Sequence, residues 1–567
     1  MSEVNAQPEQ VTLSIDGREI SVPKGMNLIE AAKVAGIEIP HYCYHTHLSV
    51  AGNCRMCQVK VEGMPKLTIG CNTGATQGMK VSTHLTSPEV AEAQRATLEF
   101  ILINHPLDCT VCDQAGHCKL QDYYYEYNRQ PSRFPEEDKE HKVKALPLGP
   151  NVILDGERCI LCTRCVRFCE EITETAELGV FNRGDKSVIS VAEGEQLDNP
   201  LSGSVVDLCP VGALTHRNWR FNTRIWYTKP VDSVCPGCST GCNVKIATRD
   251  EQVVNVKARL NADVNREWLC DEGRYGFDRL VADEQLLTPL VIKDSGEGAK
   301  TTLADIAAAM QSVKAGANET AVFLSPVLTI EDLYVAEKFL LDVLKIESGS
   351  LSVAMQYKSR QLDSVSQKLV SPDYAPNARA ASLFGWAITA DNWRKEMESR
   401  YEALLGDLLA GKVKRLIMIG DAAIAPTDAE RISEQVVSQL DFSLALVSGA
   451  NSAANNEVFV NGPFSSRAVV RAAQHLVPVL GVLEKQGLYL NRDNRLQRLT
   501  APLTPRAGVR SEWQVLAELA RLGGTELLPD NVVSARDLLL HMGRSDSRFA
   551  EVTPARVGGF GLRLASA

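Results

Sequence analysis

The residues best suited to chemistry are cysteines, and three of them lie in the run RCILCTRCVRFCE at positions 158–170. Their spacing, C-x2-C-x2-C, lets one tight loop wrap thiolates around one face of a cubane iron-sulfur cluster. All 16 cysteines of the chain lie between positions 43 and 270, and almost all sort into four ligand sets. Because such clusters exchange single electrons, the sequence predicts an electron-carrying protein.

This central run needs a distant fourth thiolate. The segment DLCPVGAL supplies a Cys-Pro pair, whereas Cys169 is followed by Glu170 and not by the proline expected there. This part of the sequence has no second three-cysteine run, so a second cubane would lack ligands. We expect one [4Fe-4S] cluster and a spare, buried Cys169; displacement of an assigned ligand by Cys169 is the alternative. The assigned ligands are Cys159, Cys162, Cys165 and Cys209.

An N-terminal set has the spacing C-x10-C-x2-C-x13-C. It differs from the plant-type ferredoxin pattern by a longer first loop, but it keeps three thiolates in one loop and a distant fourth, which predicts a [2Fe-2S] cluster. A four-cysteine zinc site is the alternative, although zinc ribbons usually pair two C-x2-C motifs and this segment has one. We interpret His41, His45 and His47 as surface or supporting residues, since four thiolates suffice. The expected ligands are Cys43, Cys54, Cys57 and Cys71.

The next set, in HPLDCTVCDQAGHCKLQD, combines one imidazole with three thiolates at the spacing H-x3-C-x2-C-x5-C. A neutral imidazole in place of a thiolate makes a cluster less negative, and this tends to raise its reduction potential. We interpret His117, which adjoins a cysteine, as a surface residue. The expected ligands are His105, Cys109, Cys112 and Cys118.

The last set, in CPGCSTGCNV and WLCDEGRYGF, has the spacing C-x2-C-x3-C-x27-C. It predicts a further [4Fe-4S] cluster. A small β segment lies between its cysteines, with a turn expected at Arg249-Asp250. The expected ligands are Cys235, Cys238, Cys242 and Cys270.

The elements that must position these sets show in the sequence pattern. Residues Val11 to Val22 alternate apolar and polar around Asp16-Gly17, which predicts a hairpin, and Asn27 is expected to cap a short helix that Gly36 closes. A longer helix is predicted to begin at Pro88. Residues 119–150, rich in Tyr, charge and Pro, are expected to form a covering loop.

The region after residue 300 alternates apolar runs with helical patterns, which indicates parallel α/β units. Gly420 follows one such run, LIMI, and we favour a packing glycine over a ligand site. We find no dinucleotide-binding G-x-G-x-x-G motif after a strand.

Composition narrows the classes of partner. The formal net charge of −10 provides no basic field for nucleic acid. The sequence has no run of 18 apolar residues, and we expect neither a membrane span nor a targeting peptide. In a reducing compartment, clustered cysteines are better explained as metal ligands than as disulfides.

Several motifs resemble known families. The hairpin, helix and first cysteine loop resemble the ubiquitin-like [2Fe-2S] ferredoxin domain, and the last set resembles the N-terminal cluster domain of molybdopterin oxidoreductases. The one-histidine set, with LDC, CD and GHCKLQD around it, is similar to the large iron-sulfur subunit of proton-pumping NADH:quinone oxidoreductase, respiratory complex I.

This resemblance implies an electron conduit without an active site of its own. It would receive electrons from a flavin (FMN) subunit that oxidises NADH and pass them through other iron-sulfur subunits of the peripheral arm toward quinone. The implied cofactors are one [2Fe-2S] cluster and three [4Fe-4S] clusters, with no molybdenum cofactor. The implied location is the cytoplasmic face of the bacterial inner membrane, with membrane contact only through the complex.

The implied fold class is an α+β iron-sulfur region followed by a trimmed α/β domain of the molybdopterin-oxidoreductase type. The expected domains are a [2Fe-2S] ferredoxin-like domain at 9–85, a one-His, three-Cys domain at 86–150, a ferredoxin-like [4Fe-4S] domain at 151–228, a small β [4Fe-4S] domain at 229–285, and the α/β domain at 286–567.

The C-terminal domain leaves a second function open. The segment EKQGLYLNRDNRLQ at 484–497 partly resembles a molybdopterin-type segment, but Leu488 replaces Thr and Asp493-Asn494 replaces Glu-Gly, so we expect a scaffold. The alternative is a molybdenum-dependent, NAD-linked formate dehydrogenase or hydrogenase subunit. Such dehydrogenases generally have a metal-binding Cys or selenocysteine next to a His in the C-terminal domain. In this sequence neither His475 nor His541 adjoins a cysteine, which argues against the alternative. A zinc-loaded structural protein is a third interpretation.

Overall fold

The computed structural model describes residues 9–128, 130–280, 284–293, 297–313, 316–347, 349–357, 359–386, 392–450, 470 and 472–564. The chain divides into two compact units, residues 1–228 and 229–567.

The first unit is built from short strands and five helices among its described residues. Its strands are β1 Gln10–Ile15, β2 Arg18–Pro23, β3 Gln58–Val61, β4 Thr68–Ile69, β5 Lys80–Ser82, β6 Leu146–Pro147, β7 Val152–Leu154, β8 Gly179–Phe181, β9 Val188–Ser190 and β10 Leu214–His216. Its helices are α1 Leu28–Val34, α2 Pro88–Leu102, α3 Lys119–Tyr123, α4 Arg164–Glu171 and α5 Ser204–Leu208.

The predicted N-terminal hairpin and helix are confirmed. β1 and β2 pair antiparallel, with Val11 opposite Val22, and form part of a five-stranded sheet of order β2-β1-β5-β3-β4. Alternate residues of β1 are buried, which is the pattern of a sheet with one face on the core. The Asn27 side chain accepts a hydrogen bond from the N–H of Glu30 and so caps α1.

The segment after Cys118 corrects the expectation of a loop over residues 119–150. It is helical in α3 and continues as a π-helical turn over Tyr124–Asn128. Leu120 and Tyr123 are buried, and the Tyr123 ring lies 5.3 Å from that of Tyr42. Apolar burial at helical spacing therefore outweighed the polar and proline residues that suggested a loop.

The second unit combines small antiparallel sheets with a large mixed one. Its strands are β11 Lys229–Val234, β12 Asn243–Arg249, β13 Gln252–Ala258, β14 Glu284–Gln285, β15 Leu290–Ile292, β16 Gly298–Lys300, β17 Thr320–Leu324, β18 Val353–Met355, β19 Arg415–Ile419, β20 Phe442–Val447, β21 Gly449–Ala450, β22 His475–Pro478, β23 Gly487–Leu490, β24 Arg495–Leu499 and β25 Leu562–Arg563. Its helices are α6 Asp271–Tyr275, α7 Leu303–Ser312, α8 Ile330–Asp342, α9 Trp393–Leu409, α10 Pro426–Gln435, α11 Glu512–Leu522, α12 Ala535–Ser545 and α13 Pro554–Val557.

The predicted α/β character of the C-terminal region is confirmed. A seven-stranded sheet has the order β16-β15-β22-β20-β19-β17-β18, and its strands from β22 to β18 are parallel. Every residue of β17 is buried because one apolar cluster covers each face: Val322 and Leu324 belong to one, Ala321 and Phe323 to the other.

The small β segment turns one residue later than predicted. β12 and β13 pair antiparallel, and Asp250 and Glu251 between them have φ angles of +52° and +58°. Two consecutive left-handed residues give a tight turn whose twist matches that of the flanking strands.

No helix in the described residues is both long and apolar enough to cross a membrane.

Candidate metal centres

The four N-terminal cysteines, here called the Cys43 site (Cys43, Cys54, Cys57 and Cys71), form two pairs. The Cys54 thiol donates a hydrogen bond to Cys43, and the Cys57 thiol donates one to Cys71. The bond from Cys54 lowers the pKa of the Cys43 thiol. Cys43, Cys57 and Cys71 are each 1% exposed. Two close thiol pairs in a dry loop fit two adjacent iron ions with two thiolates each.

The histidines of this loop occupy two environments. His41 is buried, its Nδ1 lies 2.8 Å from the carbonyl oxygen of Ile39, and burial lowers its pKa to about 4. His45 and His47 are half-buried, with ring centroids 6.0 Å apart. The sequence left open whether these histidines are surface or supporting residues. The burial of His41 favours a supporting role for it.

The His105 site (His105, Cys109, Cys112 and Cys118) lies between α2 and α3. Cys112 and Cys118 are buried, whereas Cys109 is exposed. Burial raises the pKa of the Cys118 thiol to about 11, and neighbouring Cys112 and Cys109 add to the rise. Since thiols of this kind resist ionisation in a protein interior, a bound cation is what would hold them as thiolates.

His105 has the properties of a metal ligand. Burial lowers its pKa to about 4, so its ring is neutral at pH 7. Its Nδ1 is buried and lacks a hydrogen-bond partner among the residues that the structure describes. A buried ring nitrogen without a protein partner, in the same loop as three cysteines, fits coordination of a metal. His117, expected at the surface, is half-buried.

The Cys159 site (Cys159, Cys162, Cys165 and Cys209) surrounds a single cavity. All four cysteines line it, together with apolar residues that include Leu154 and Val211. Leu161 and Thr163 have left-handed φ angles of +52° and +59°, which curl the loop between its cysteines. The backbone N–H of Leu161 lies 3.4 Å from Sγ of Cys159.

Cys169 is not among the residues that line this cavity. It is fully buried in α4, and burial raises its pKa to about 12. Its carbonyl oxygen accepts hydrogen bonds from Thr175 and Ala176. These properties are those of a small core residue at a helix end.

The Cys235 site (Cys235, Cys238, Cys242 and Cys270) surrounds a second cavity. Its four cysteines are 4–8% exposed. Burial raises the pKa of Cys242 and of Cys270 well above the usual range. Gly273 lines the same cavity, and a methyl group there would lie 3.0 Å from Sγ of Cys235, so a larger residue would crowd the site.

Residues far along the chain support this last site. The backbone N–H of Ser239 donates to Asp373 at 2.8 Å, and the Asn491 side chain donates to the carbonyl oxygen of Thr240 at 3.2 Å. The Gln497 side chain donates to the carbonyl oxygen of Gly241 at 2.8 Å. The hairpin of β23 and β24, expected to be a general scaffold, therefore supports the cysteine loop directly.

The arrangement of the cysteines bears on the kind of metal. Four thiolates bound at about 2.3 Å to a zinc ion meet around a point. Across the described ranges, no three His, Cys, Asp or Glu side chains are grouped closely enough to hold a single ion. At the Cys159 and Cys235 sites the four cysteines line one cavity each, and this arrangement fits the corners of a cubane cluster.

The expected position for a ligand in the α/β domain is filled by side chains. The strand order changes direction between β17 and β19, and ligands bind beyond the carboxyl ends of such strands. There a methyl group on Gly420 would lie 2.8 Å from Cβ of Ser325. Nearby, the ammonium group of buried Lys485 pairs with Glu512 at 2.7 Å. This packing favours the interpretation of Gly420 as a packing glycine.

Arginine side chains near the ligands were missed by the sequence analysis. Arg158, which adjoins Cys159, is buried and donates to Asp108, which adjoins Cys109, at 2.8 Å and 3.1 Å. Arg158 also lies 3.3 Å from Asp155. The sequence does show an arginine next to one expected ligand and an aspartate next to another. No local sequence pattern, however, predicts that these two side chains pair.

Four family models match the chain in the predicted order. They are a 2Fe-2S iron-sulfur cluster binding domain at 8–85, the NADH-ubiquinone oxidoreductase-G iron-sulfur binding region at 94–133, the ferredoxin-like domain of NADH-quinone oxidoreductase subunit 3 at 149–215, and the molybdopterin oxidoreductase Fe4S4 domain at 228–281. The predicted fold class is thereby confirmed.

A nearly full-length relative decides the family. The mitochondrial NADH-ubiquinone oxidoreductase 78 kDa subunit of Neurospora crassa is 30% identical over 97% of this chain and 85% of its own length. The chain belongs to the family of the large iron-sulfur subunit of NADH:quinone oxidoreductase. Another member, an NADH-quinone oxidoreductase subunit of Streptomyces coelicolor, is 41% identical over 58% of this chain, and the match spans 39% of that protein.

Among solved structures, a chain of an NAD+-reducing [NiFe]-hydrogenase in the H2-reduced state is 30% identical with a TM-score of 0.34, covering 38% of this chain and 91% of its own. The named relatives of the large iron-sulfur subunit family are parts of an oxidoreductase.

Proposed function

We propose that this chain is an electron-transfer subunit of NADH:quinone oxidoreductase, which passes electrons from a flavin-bearing, NADH-oxidising partner through iron-sulfur clusters toward quinone. The observation that carries the proposal is that the cysteines of the Cys159 and Cys235 sites each surround one buried cavity, within regions that match iron-sulfur family models. A chain that only transfers electrons needs bound clusters and no substrate pocket of its own.

The proposed cofactors are one [2Fe-2S] cluster at the Cys43 site and one [4Fe-4S] cluster at each of the His105, Cys159 and Cys235 sites. At the Cys43 site, the hydrogen-bonded thiol pairs suggest that Cys43 and Cys54 bind one iron and that Cys57 and Cys71 bind the other. When bound, the clusters supply one-electron chemistry. We also propose the five domains with the boundaries predicted from the sequence.

The chain's own part is to hold the sites rigidly and close together. Sγ of Cys118, in the His105 site, lies 3.9 Å from the carbonyl oxygen of Pro210, the residue after Cys209 of the Cys159 site. Arg158 and Asp108 link the same two sites by a partly buried salt bridge. Rigid, desolvated surroundings keep the rearrangement between oxidation states small.

Partner subunits are proposed from the exposed edge of the His105 site. Cys109 is exposed, and its neighbours Leu107 and Val111 are 86% and 54% exposed. Apolar side chains of this size next to a redox centre fit burial against another subunit. We propose as partners the FMN subunit and other iron-sulfur subunits of the peripheral arm. The membrane would be reached only through the complex, at the cytoplasmic face of a bacterial inner membrane.

The experiment is a metal count on the full-length chain, purified without oxygen, with iron, molybdenum, tungsten and zinc measured per chain. The assignment predicts about 14 irons, with the other metals at background. Stoichiometric molybdenum or tungsten would favour the formate-dehydrogenase alternative, and zinc in place of iron would contradict the proposal.

A matched pair of variants tests the ligand assignment at the Cys159 site. Cys165→Ala is expected to lose the central cluster, about four irons, and its electron paramagnetic resonance (EPR) signal. Cys169→Ala is expected to keep both and to cost only about 1 kcal/mol of stability, as for removal of a small buried group. Loss of four irons in Cys169→Ala alone would exchange the roles of the two residues.

A further inference from the structure

Two arginines of α4 connect the loops of the Cys43 and Cys159 sites. The Arg167 guanidinium donates to the carbonyl oxygen of Cys43 at 2.5 Å and to that of Cys162 at 3.4 Å. It therefore contacts one ligand residue from each site through a single side chain.

Arg164 makes a parallel connection. Its guanidinium donates to the carbonyl oxygen of Tyr44, which adjoins Cys43, and to that of Leu208, which adjoins Cys209, the latter at 3.3 Å. Two side chains one helical turn apart on α4 thus bind the same pair of loops.

Among the described residues, neither of these arginines forms a salt bridge; the Glu171 carboxylate is bonded to Ser49, whose carbonyl oxygen accepts from Arg167. Within the residues that the structure describes, no carboxylate lies within 4.0 Å of either guanidinium, although Arg167 is 7% exposed. Nε of Arg164 is buried and has no hydrogen-bond partner in that part of the chain. Arg158, at the start of the same cysteine loop, differs because Asp108 and Asp155 balance its charge. A buried, unbalanced cation is costly, so a negative group is expected to complete the site.

The nearest candidates for that group are the cysteine ligands themselves. Arg164 lies within electrostatic reach of Cys162, Cys209 and Cys43. Arg167 lies within reach of Cys43 and Cys162. A cluster bound by four thiolates carries net negative charge, and both sites offer four cysteines.

We propose that Arg164 and Arg167 are positioning residues whose counter-charges are the clusters of the Cys43 and Cys159 sites, and that they raise the reduction potentials of both clusters together. This rests on the proposed function, since it requires both clusters to be bound. An added electron makes a cluster more negative, and a fixed positive charge beside it favours the reduced form. Because one guanidinium contacts both loops, one substitution acts on two potentials.

The test compares Arg167→Gln and Arg164→Gln with Arg167→Lys and Arg164→Lys in the full-length chain, by anaerobic redox titration followed by EPR. Each Gln variant is expected to lower both midpoint potentials by at least a tenfold change in the oxidised-to-reduced ratio, about 59 mV for a one-electron couple. The Lys variants, which retain the charge, are expected to restore most of the shift.

Arg18→Gln is the matched control, because Arg18 also donates to a backbone carbonyl, that of Ala35, away from the cysteines. Its potentials are expected to be unchanged. A Gln variant that shifts neither potential, or only one, would overturn the proposal, and so would equal shifts in Gln and Lys variants.

Cluster loss has a defined meaning as well. If the Gln variants lose iron and the Lys variants keep it, the required counter-charge is supported; if both lose iron while Arg18→Gln keeps it, only the geometry of arginine matters and the proposal fails. Absence of either cluster from the unmodified chain would instead refute the proposed function.

Discussion

Gly212 lies directly against Cys112: a methyl group built on Gly212 would stand 2.1 Å from Sγ of that cysteine. No carbon atom approaches a sulfur to which it is not bonded so closely, so only glycine fits there. Gly212 belongs to the loop that follows Cys209, and Cys112 belongs to the His105 site. The loop of one site thereby fixes a thiol of the next.

Gly212→Ala is expected to push the Cys112 thiol out of position. We predict loss of about four irons and of the EPR signal of the His105 site, with the Cys43 and Cys235 sites retained. The measurement is iron per chain together with low-temperature EPR. Gly406→Ala is the control: Gly406 is in α9 with nothing within 4 Å of an added methyl group. It is expected to keep all iron. Full iron in Gly212→Ala would contradict the close contact.

Ligand spacing was predictable from the sequence because it is local, whereas the supports of the ligands were not. The loop that carries Cys159, Cys162 and Cys165 spans seven positions, and Cys209 was predicted as its fourth partner from the Cys-Pro pair. The structure brings these four cysteines to one cavity. By contrast, Arg167 contacts Cys43 across 124 positions and Gln497 contacts Gly241 across 256. Such contacts depend on how whole elements pack, and no local pattern specifies them.

The same distinction holds for the fold. The hairpin of β1 and β2 and the α1 cap follow from alternation and from Asn27, and both were predicted. The helical segment at 119–128 was not, because its stability comes from tyrosine packing onto Tyr42, which is remote in sequence. Tertiary burial determined that element.

Replacement of the imidazole ligand tests the electrostatics of the His105 site. In His105→Cys, a thiolate would add one negative charge to the cluster, so we expect the cluster to remain and its midpoint potential to fall. An anaerobic redox titration followed by EPR measures the shift, and iron content shows that the cluster is present. An unchanged or higher midpoint in a fully loaded variant would rule out His105 as the ligand.

A buried carboxyl group in the second unit predicts a pH dependence. Glu331 on α8 is 2% exposed, and burial raises its pKa to about 8 from 4.5. The folded state therefore keeps a proton that the unfolded chain releases, so this group's stability contribution is complete below about pH 4.5 and is lost as the pH rises toward 8. The effect should be on the order of a few kcal/mol.

Glu331→Gln isolates this effect, because the amide keeps the shape of the acid without titrating. Melting temperatures of wild type and variant, measured from pH 5 to pH 8.5, should diverge as the pH rises, with the wild type losing more. Glu347→Gln, at an exposed position elsewhere in the second unit, serves as the control and should follow the wild type. Parallel curves for wild type and Glu331→Gln would mean that Glu331 is ionised in the folded chain.

A contact from the hairpin of β23 and β24 can be removed to test what the Cys235 site contributes to stability and to electron transfer. Gln497→Ala removes a buried donor to the carbonyl oxygen of Gly241, which leaves that oxygen unsatisfied at a cost of about 1–3 kcal/mol. The loop between Cys238 and Cys242 should loosen. We therefore expect lower stability and loss of part of the roughly four irons that the Cys235 site would hold. Arg498→Ala, an exposed neighbour on β24, is expected to keep both its stability and its iron.

Because metal binding contributes folding energy to such a site, Gln497→Ala should reduce assembly into the complex more than NADH oxidation by the complexes that do assemble. Normal assembly with strongly reduced electron flux would instead put the Cys235 cluster on the main electron path.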